Sequence, residues 1–190
     1  MRKLKLQVQI SIDGFVAGIN HEMNWMQLNW TSDLINYIGD LTSKIDQILL
    51  GKNLAEGFIP YWQNVANNIN HPEHQAGIIF TNANKIVFSK TLKESPWLNT
   101  SVFKGNYVEE INRLKNENGN DMIVYGGAKF VASLIKENLI DEYNLLVNPN
   151  AIGKGLSIFN ELHQNLELNL AECIKFDCGI ALLKYIKKNK

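Results

Sequence analysis

Short apolar segments that alternate with helical patterns constrain the fold of this chain more than any other feature of its sequence. The segments at 46–51 (DQILLG), 84–92 (NKIVFSKTL) and 121–125 (DMIVY) are rich in apolar and β-branched residues. Runs of this length and composition are typical of strands buried on both faces of a sheet. An amphipathic helical pattern precedes the first segment, and another covers 127–138 directly after the third. Strands that alternate with helices predict an α/β fold with a mainly parallel central sheet.

The two ends of the chain differ from this central pattern. Residues 4–12 alternate apolar and polar side chains, which is typical of a strand with one buried face. Near the other end, residues 166–176 and 179–188 are strand-like segments around a DCG turn, which predicts an antiparallel hairpin. We therefore expect a single domain, 1–190, in which helices flank a mainly parallel sheet with an antiparallel C-terminal hairpin.

The helical segments give more specific expectations. A helix that begins with Thr31 or Ser32 as its N-cap would place five apolar residues on one face. These residues are Leu34, Ile35, Ile38, Leu41 and Ile45. Residues 52–80 are helical in parts, and we expect the helix to break at glycine and proline, which are unfavourable in helix interiors. The expected breaks are at Gly57, Pro60 and Pro72.

Charge and composition argue against several classes of function. Nineteen Lys and Arg residues balance nineteen Asp and Glu residues, so no single-sign field would attract nucleic acid or an anionic membrane. The N-terminus lacks the apolar core of a signal peptide, and no window approaches the ~18 apolar residues of a membrane span. Cys173 and Cys178 are too few for a disulfide framework and indicate reduced thiols in a cytoplasmic protein. His71 and His74 lie in a polar loop without further ligands, so we expect no metal site.

The pair Gly126-Gly127 joins the third buried segment to the helix that follows it. One interpretation is structural, because glycine permits positive φ and lets a helix approach a sheet closely. The other is an anion cradle, since the free N–H groups of a helix N-terminus bind phosphate where no side chain blocks them. The pair fits neither the Rossmann fingerprint nor a P-loop. The glycine pair alone leaves both interpretations open.

Two other strand ends carry groups that can bind phosphate. Gly51 and Lys52 end the first segment, and Ser89, Lys90 and Thr91 lie at the end of the second. Either lysine alone is more typical of a solvated surface charge. In open α/β sheets, however, ligands bind outside the carboxyl ends of the strands. The three strand ends together therefore predict one phosphorylated ligand, with Lys52 and Lys90 sharing a phosphate.

Six segments carry a resemblance to a known family. They are SIDGFVAG (11–18), Trp25 followed by SDL (32–34), LLGKNLAEGF (49–58), KIVFSKTL (85–92), VYGGAKFVASLI (124–135) and DEYNLLVNPNAIGKGLSIF (141–159). Together they resemble dihydrofolate reductase, and more closely the reductase domain of the bifunctional riboflavin-biosynthesis deaminase–reductase and its stand-alone relatives. The resemblance implies a dihydrofolate reductase-like fold. It also implies a cytoplasmic reductase that transfers a hydride to a C=N bond of a pterin or pyrimidine-like substrate.

The cofactor that the resemblance implies is NADPH, or NADH, lying across the strand ends. Its pyrophosphate would lie on 126–129, and its nicotinamide would border Ala17 and Gly18 in the covering loop. The full set of implied cofactor-binding residues is Ala17, Gly18, Gly51, Lys52, Asn53, Ser89, Lys90, Thr91, Tyr125, Gly126, Gly127, Ala128 and Lys129.

Three residues are implied on the substrate side. Asp33 matches the single carboxylate that dihydrofolate reductases carry on their first helix, and a carboxylate there can orient a heterocycle for proton delivery. Its alternative role is to complement the helix dipole in the first turn. Asp13 and Trp25 would shape the substrate site. The alternative role of Asp13 is that of a turn residue before Gly14, and the alternative role of Trp25 is that of a buried core aromatic.

Four positions depart from the family's pattern. Lys52 replaces the usual arginine and Leu54 a common threonine, which removes two-pronged phosphate geometry and leaves the choice between NADPH and NADH open. Gln7 and Tyr125 stand where riboflavin-pathway reductases carry lysine and glutamate. These changes support an alternative, a non-catalytic nucleotide-binding or sensing protein. The resemblance also implies a homodimer, for which the apolar run 180–186 offers a pairing edge.

Overall fold

The computed structural model describes residues 1–188. Within that range, eight strands form one sheet and five helices pack against it. The elements in chain order are β1 (Leu4–Ile10), α1 (Ser32–Ser43), β2 (Ile45–Gly51), α2 (Lys52–Asn67), α3 (His74–Asn82), β3 (Asn84–Phe88), β4 (Thr100–Phe103), α4 (Tyr107–Lys115), β5 (Asp121–Tyr125), α5 (Ala128–Lys136), β6 (Glu142–Val147), β7 (Leu168–Lys175) and β8 (Ala181–Lys187).

The strand order in the sheet is β4-β3-β2-β5-β1-β6-β8-β7. The first six strands in this order are parallel, while β8 runs antiparallel to both β6 and β7. All six parallel strands therefore end at the same edge. Ala181 at the start of β8 pairs with Val147 at the end of β6, so the tip of the terminal hairpin reaches that edge too. The predicted α/β fold with a mainly parallel sheet and an antiparallel C-terminal hairpin is confirmed.

The core has one layer on each face of the sheet, and β5 shows the division. Met122 and Val124 belong to the cluster that α4 and α5 cover. Ile123 and Tyr125 belong to the cluster covered by α1, α2 and α3. Successive side chains of a buried strand point to opposite faces, so each apolar residue of β5 packs under a helix. Burial on both faces explains why β2, β3 and β5 are nearly continuous in apolar residues. Strand β1 is buried on both faces as well, so the single buried face expected for residues 4–12 was wrong.

The expected breaks at Gly57 and Pro60 were wrong, since α2 runs through both residues. A proline in a helix interior costs about 3 kcal/mol. Here the helix buries Ala55 and Ile59 against the sheet, and that packing overrides the local preference. The expected break at Pro72 is confirmed, because Pro72 lies between α2 and α3.

Two further expectations about exposure were wrong. Ile35 is 54% exposed, so it does not share the buried face of α1 with Leu34 and Leu41. The run 180–186 offers no pairing edge, because β8 lies between β6 and β7. The edge strand at this end of the sheet is β7, and most of its side chains are exposed.

Candidate functional site

Three strand-end loops meet at the carboxyl edge of β3, β2 and β5, which are consecutive in the sheet. The Lys52 ammonium donates a hydrogen bond of 3.3 Å to the Thr91 hydroxyl, which joins the ends of β2 and β3. A Cβ built on Gly127 would lie 3.6 Å from Cβ of Leu54, which joins the ends of β5 and β2. The convergence of the loops at positions 51, 89 and 126 is thus a feature of the fold.

Glycine occupies three positions in these loops, and the physical reason differs from one position to the next. A Cβ on Gly51 would lie 2.9 Å from Cβ of Phe130 in α5, so the close approach of the two elements requires glycine. Gly127 is the N-cap of α5 and has φ +79°, which favours glycine. Gly126 has neither constraint, since nothing lies within 4 Å of its Cβ position and its φ is not positive. Close packing explains Gly51 and backbone conformation explains Gly127, but neither explains Gly126.

The N-terminus of α5 follows the glycine pair at this edge. The first intrahelical acceptor is the Gly127 carbonyl, which binds the Val131 N–H at 3.1 Å. The N–H groups of Ala128, Lys129 and Phe130 therefore have no partner within the helix. Lys129 is exposed beside them. Free N–H groups, a helix dipole and an exposed ammonium form a surface that favours a phosphate.

The end of β3 forms a tight turn with two exposed residues. The Ser89 hydroxyl accepts hydrogen bonds from the N–H groups of Thr91 at 3.2 Å and Leu92 at 3.0 Å. This turn exposes Lys90 and Thr91 next to Lys52. Asn53, in the first turn of α2, is exposed at the same corner. The corner therefore offers two ammonium groups, hydroxyls and an amide.

The loop after β1 is fastened to the segment after β6. Ala17 and Leu156 form a β-bridge, with the Leu156 N–H donating to the Ala17 carbonyl at 2.8 Å. The Gly18 N–H donates to the Glu22 carbonyl at 2.9 Å. Ala17 and Gly18 are both buried. Because β1 lies next to β5, this loop leaves the sheet at the strand beside the one that the glycine pair follows.

Asp13 holds the same two loops together. Its carboxylate accepts hydrogen bonds from the Ser11 hydroxyl at 2.6 Å and the Gly153 N–H at 2.6 Å, and a third from the Ile152 N–H. The Ser11 hydrogen bond, followed by those from the backbone, lowers the pKa of this carboxyl below its usual range. The structure thus shows Asp13 as a loop anchor.

Asp33 lies in the first turn of α1 and binds the tip of the terminal hairpin. Its carboxylate accepts from the Asp177 N–H at 2.9 Å and from its neighbour Leu34. The Thr31 hydroxyl accepts from the Cys178 N–H at 3.1 Å. The hydrogen bond between the Thr31 hydroxyl and the Asp33 carboxylate is the main cause that lowers the pKa of Asp33, and the hydrogen bond from the Asp177 N–H is the next. Asp33 is therefore an anion at neutral pH, suited to accept hydrogen bonds rather than to donate a proton.

The Tyr125 side chain packs in the layer of α2 and α3 and not at the strand-end cradle, which comprises 51–53, 89–91 and 126–129. The Tyr125 ring is buried under α2 and α3, stacked on Phe58 at 5.2 Å and edge-on to Phe80 at 5.6 Å. This packing leaves only its backbone at the strand end. Trp25 is half-buried in the loop after β1, where its indole N–H donates to the Glu22 carbonyl at 3.2 Å.

One buried residue of this edge was missed by sequence reasoning. Asn148, directly after β6, is fully buried. Its amide donates to the Gln9 side chain at 3.1 Å and accepts from the Gln27 N–H at 2.7 Å. Asn148 thereby fixes the loop that carries Trp25. The NPN sequence at 148–150 marks a turn, but it does not show that the first asparagine is buried.

Within residues 1–188, the structure shows neither a metal-binding cluster nor a disulfide. No group of three His, Cys, Asp or Glu side chains in that range is arranged to hold a metal ion. Cys173 and Cys178 are both free thiols. Of the helices described, none combines the length and apolar character needed to cross a membrane.

Comparison with solved structures identifies the fold. A candidate riboflavin biosynthesis protein from Shewanella sp. PV-4 is 21% identical, with a TM-score of 0.72 over 100% of both chains. The diaminohydroxyphosphoribosylaminopyrimidine deaminase/5-amino-6-(5-phosphoribosylamino)uracil reductase of Thermotoga maritima is 16% identical, with a TM-score of 0.70. That likeness covers 98% of this chain and 57% of the Thermotoga chain. The fold is thus the dihydrofolate reductase-like fold of riboflavin-pathway reductase domains.

Sequence comparison defines the family within this fold. Residues 2–182 match the model of the RibD C-terminal domain, and the chain belongs to that family. An uncharacterized protein of Bacillus subtilis (strain 168), YyaP, is 28% identical over 97% of this chain and 94% of its own length. Membership of the family indicates a reductase-like function.

Proposed function

We propose that the protein is an NAD(P)H-dependent reductase that transfers a hydride to a C=N bond of a pterin or pyrimidine-like heterocycle. The observation that carries the proposal is the convergence of three strand-end loops, at positions 51, 89 and 126, beside the loop after β1. The bare backbone at Gly126, which packing does not explain, supports a ligand that lies against it. Membership of the RibD C-terminal domain family supports the reductase class.

The cradle residues fit the phosphates of a dinucleotide. The free N–H groups of α5 and the backbone of Gly126 would hold the pyrophosphate. Lys52, Lys90 and the hydroxyls at the end of β3 would hold the adenosine ribose, and its phosphate in NADPH. Lys52 also lies 3.6 Å from the Glu56 carboxylate, so the positive charge at this corner is partly compensated. When bound, the reduced nicotinamide supplies the hydride.

The substrate side is proposed at the other end of the cradle, near α1. Asp33 would hold an N–H group of the heterocycle as an anionic acceptor, which orients the C=N bond toward the nicotinamide. Because the pKa of Asp33 is lowered, the proton that completes the reduction comes from water rather than from this carboxyl. The loop fastened by Asp13 and Asn148 would cover the reacting groups and exclude bulk solvent.

A titration with NADPH tests the proposed cofactor. The chain has four tryptophans, so binding is followed as quenching of protein fluorescence, with NADH in a parallel titration. We expect saturable quenching by at least one of the two. If neither binds at millimolar concentration while the protein remains folded by circular dichroism, the reductase proposal is rejected.

A second candidate is a non-catalytic protein that binds the same dinucleotide. The observation that favours it is that the carboxylates of Asp13 and Asp33 already serve contacts within the fold. It predicts saturable cofactor binding without oxidation of NADPH by any heterocycle in a panel of dihydropterins, pterins and aminouracils. Turnover that Asp33→Asn abolishes, with NADPH affinity unchanged, would reject this candidate.

We also propose a cytoplasmic homodimer. Edge strand β7 supports the homodimer, because Leu170 is 56% exposed and strands at sheet edges pair readily with other chains. An adjacent groove of about 550 Å³, lined by Leu166, Leu168 and Tyr185 among others, adds apolar surface. The two free thiols support a reducing compartment.

A further inference from the structure

The Tyr125 hydroxyl is an enclosed polar group that has no hydrogen-bond partner within residues 1–188. Tyr125 as a whole is 8% exposed. Burial raises the pKa of Tyr125 above its usual range, so the hydroxyl keeps its proton at neutral pH and can donate as well as accept. An enclosed hydroxyl that binds nothing costs free energy, and the large majority of such groups in folded proteins bind either protein or water. We therefore expect this hydroxyl to have a partner from outside the chain.

A small crevice lies beside Tyr125, between α1 and α3. Its volume is about 20 Å³, and its walls are apolar apart from Tyr125 and Thr42. Two of the apolar lining residues are Ile45, the first residue of β2, and Ala83, which directly precedes β3. The crevice therefore extends toward the amino edge of the sheet, away from the strand-end cradle. Ile79, another lining residue, is half-exposed, so one wall of the crevice reaches the surface.

Thr42, in the last turn of α1, is the second polar residue of the crevice. Its hydroxyl donates to the Ile38 carbonyl at 2.8 Å and shares that proton with the Gly39 carbonyl at 3.1 Å. Among the described residues, none donates a hydrogen bond to this hydroxyl, so its lone pairs can still accept one. The crevice is thus lined by one residue with a free donor and one with a free acceptor.

The size and the lining of the crevice together select its occupant. A water molecule needs a cavity of at least about 10–15 Å³ and two to four polar partners. The crevice exceeds that volume only slightly, which excludes an organic ligand. No charged side chain lines it, which disfavours an ion. A wholly apolar crevice of this size would stay dry, but the hydroxyls of Tyr125 and Thr42 give a water molecule two partners.

We propose that this crevice is an internal hydration site, in which one water molecule accepts from the Tyr125 hydroxyl and donates to the Thr42 hydroxyl oxygen. The water joins the last residue of β5 to the last turn of α1. Tyr125 is one of the four departures from the family's pattern, and the site gives its hydroxyl a role in the packing of α1 and α3 on the sheet. The site does not depend on the proposed reductase function, because it lies away from the strand-end cradle.

Removal of the Tyr125 hydroxyl, with a second buried tyrosine as the matched control, tests the hydration site. Tyr143 is fully buried, and its hydroxyl is also enclosed and unpaired. It packs on the other face of the sheet and does not line the crevice. Thermal unfolding of the full chain is followed by circular dichroism for the wild type, Tyr125→Phe and Tyr143→Phe. A crystal structure of the wild type then shows whether a water molecule occupies the crevice.

We expect Tyr125→Phe to lower the thermal midpoint by about 2–4 °C, because it removes a hydrogen bond that the water satisfies. Tyr143→Phe should keep or raise the midpoint, because it removes a hydroxyl that binds nothing. The crystal structure should show one water within about 3.2 Å of both the Tyr125 hydroxyl and the Thr42 hydroxyl oxygen. A dry crevice, or a water that contacts only one of these two side chains, would overturn the proposal. So would a midpoint of Tyr125→Phe that is no lower than that of the wild type or of Tyr143→Phe.

Discussion

Replacing Gly126 with alanine separates the two interpretations of the glycine pair. No atom lies within 4 Å of the Cβ position, and φ of Gly126 is not positive. The fold should therefore accept the methyl group. Since alanine also restricts the unfolded chain, we expect the free energy of unfolding to stay level or rise by about 0.4–1 kcal/mol.

The same methyl group should weaken cofactor binding. It would occupy the open space above the backbone where a pyrophosphate oxygen would approach. Loss of one hydrogen bond to a charged oxygen costs about 1.5–3 kcal/mol, which corresponds to a roughly 10- to 150-fold higher Kd. The assay is the NADPH fluorescence titration, with the thermal midpoint measured on the same samples.

Gly127→Ala is the matched control for this experiment. With φ at +79°, alanine at this N-cap is strained by about 1–2 kcal/mol, so Gly127→Ala should lower the thermal midpoint. Gly126→Ala should instead lose NADPH affinity without loss of stability. Wild-type affinity of Gly126→Ala for NADPH, or a loss of stability equal to that of Gly127→Ala, would contradict the proposed contact between the pyrophosphate and the backbone of Gly126.

Three further predictions concern Lys52, the buried Lys85 and the edge strand β7. Lys52→Met should weaken NADPH binding several-fold more than NADH binding, and this difference should shrink at high salt. Equal losses of affinity in parallel titrations would show that Lys52 does not contact the additional phosphate of NADPH. Burial lowers the pKa of Lys85 to about 8, against ~10.4 in an unfolded chain. Between these two pH values the unfolded chain therefore binds more protons than the folded chain. The free energy of unfolding should therefore rise with pH across that window, and urea denaturation of Lys85→Met should lack that rise. Leu170→Lys on β7 should convert the proposed homodimer to monomer in light scattering, and a dimer unchanged by this substitution would place the interface elsewhere.

The fold could be predicted from the sequence because its signals are local. Apolar runs of strand length, such as 46–51, identify the buried strands without knowledge of their partners. The α2 helix shows the limit of local rules. Gly57 and Pro60 predict breaks, but burial of Ala55 and Ile59 against the sheet outweighs their cost, and that packing is not visible in the sequence.

The candidate site was predictable only in part. The three strand-end loops could be placed together because the carboxyl ends of parallel strands share an edge. The orientation of Tyr125 could have been read from strand alternation, since it has the same parity as Ile123. The contact between Asp33 and Asp177 joins residues 144 positions apart, and the buried Asn148 depends on a loop that crosses it. Such contacts require the assembled tertiary structure.

A crystal structure of the protein with NADPH would test the central claim most directly. We predict that the pyrophosphate lies on the backbone of 126–129, the adenosine ribose beside Lys52 and the turn at 89–91, and the nicotinamide against Ala17. Density for the dinucleotide on another face of the molecule, with the strand-end cradle empty, would contradict the claim.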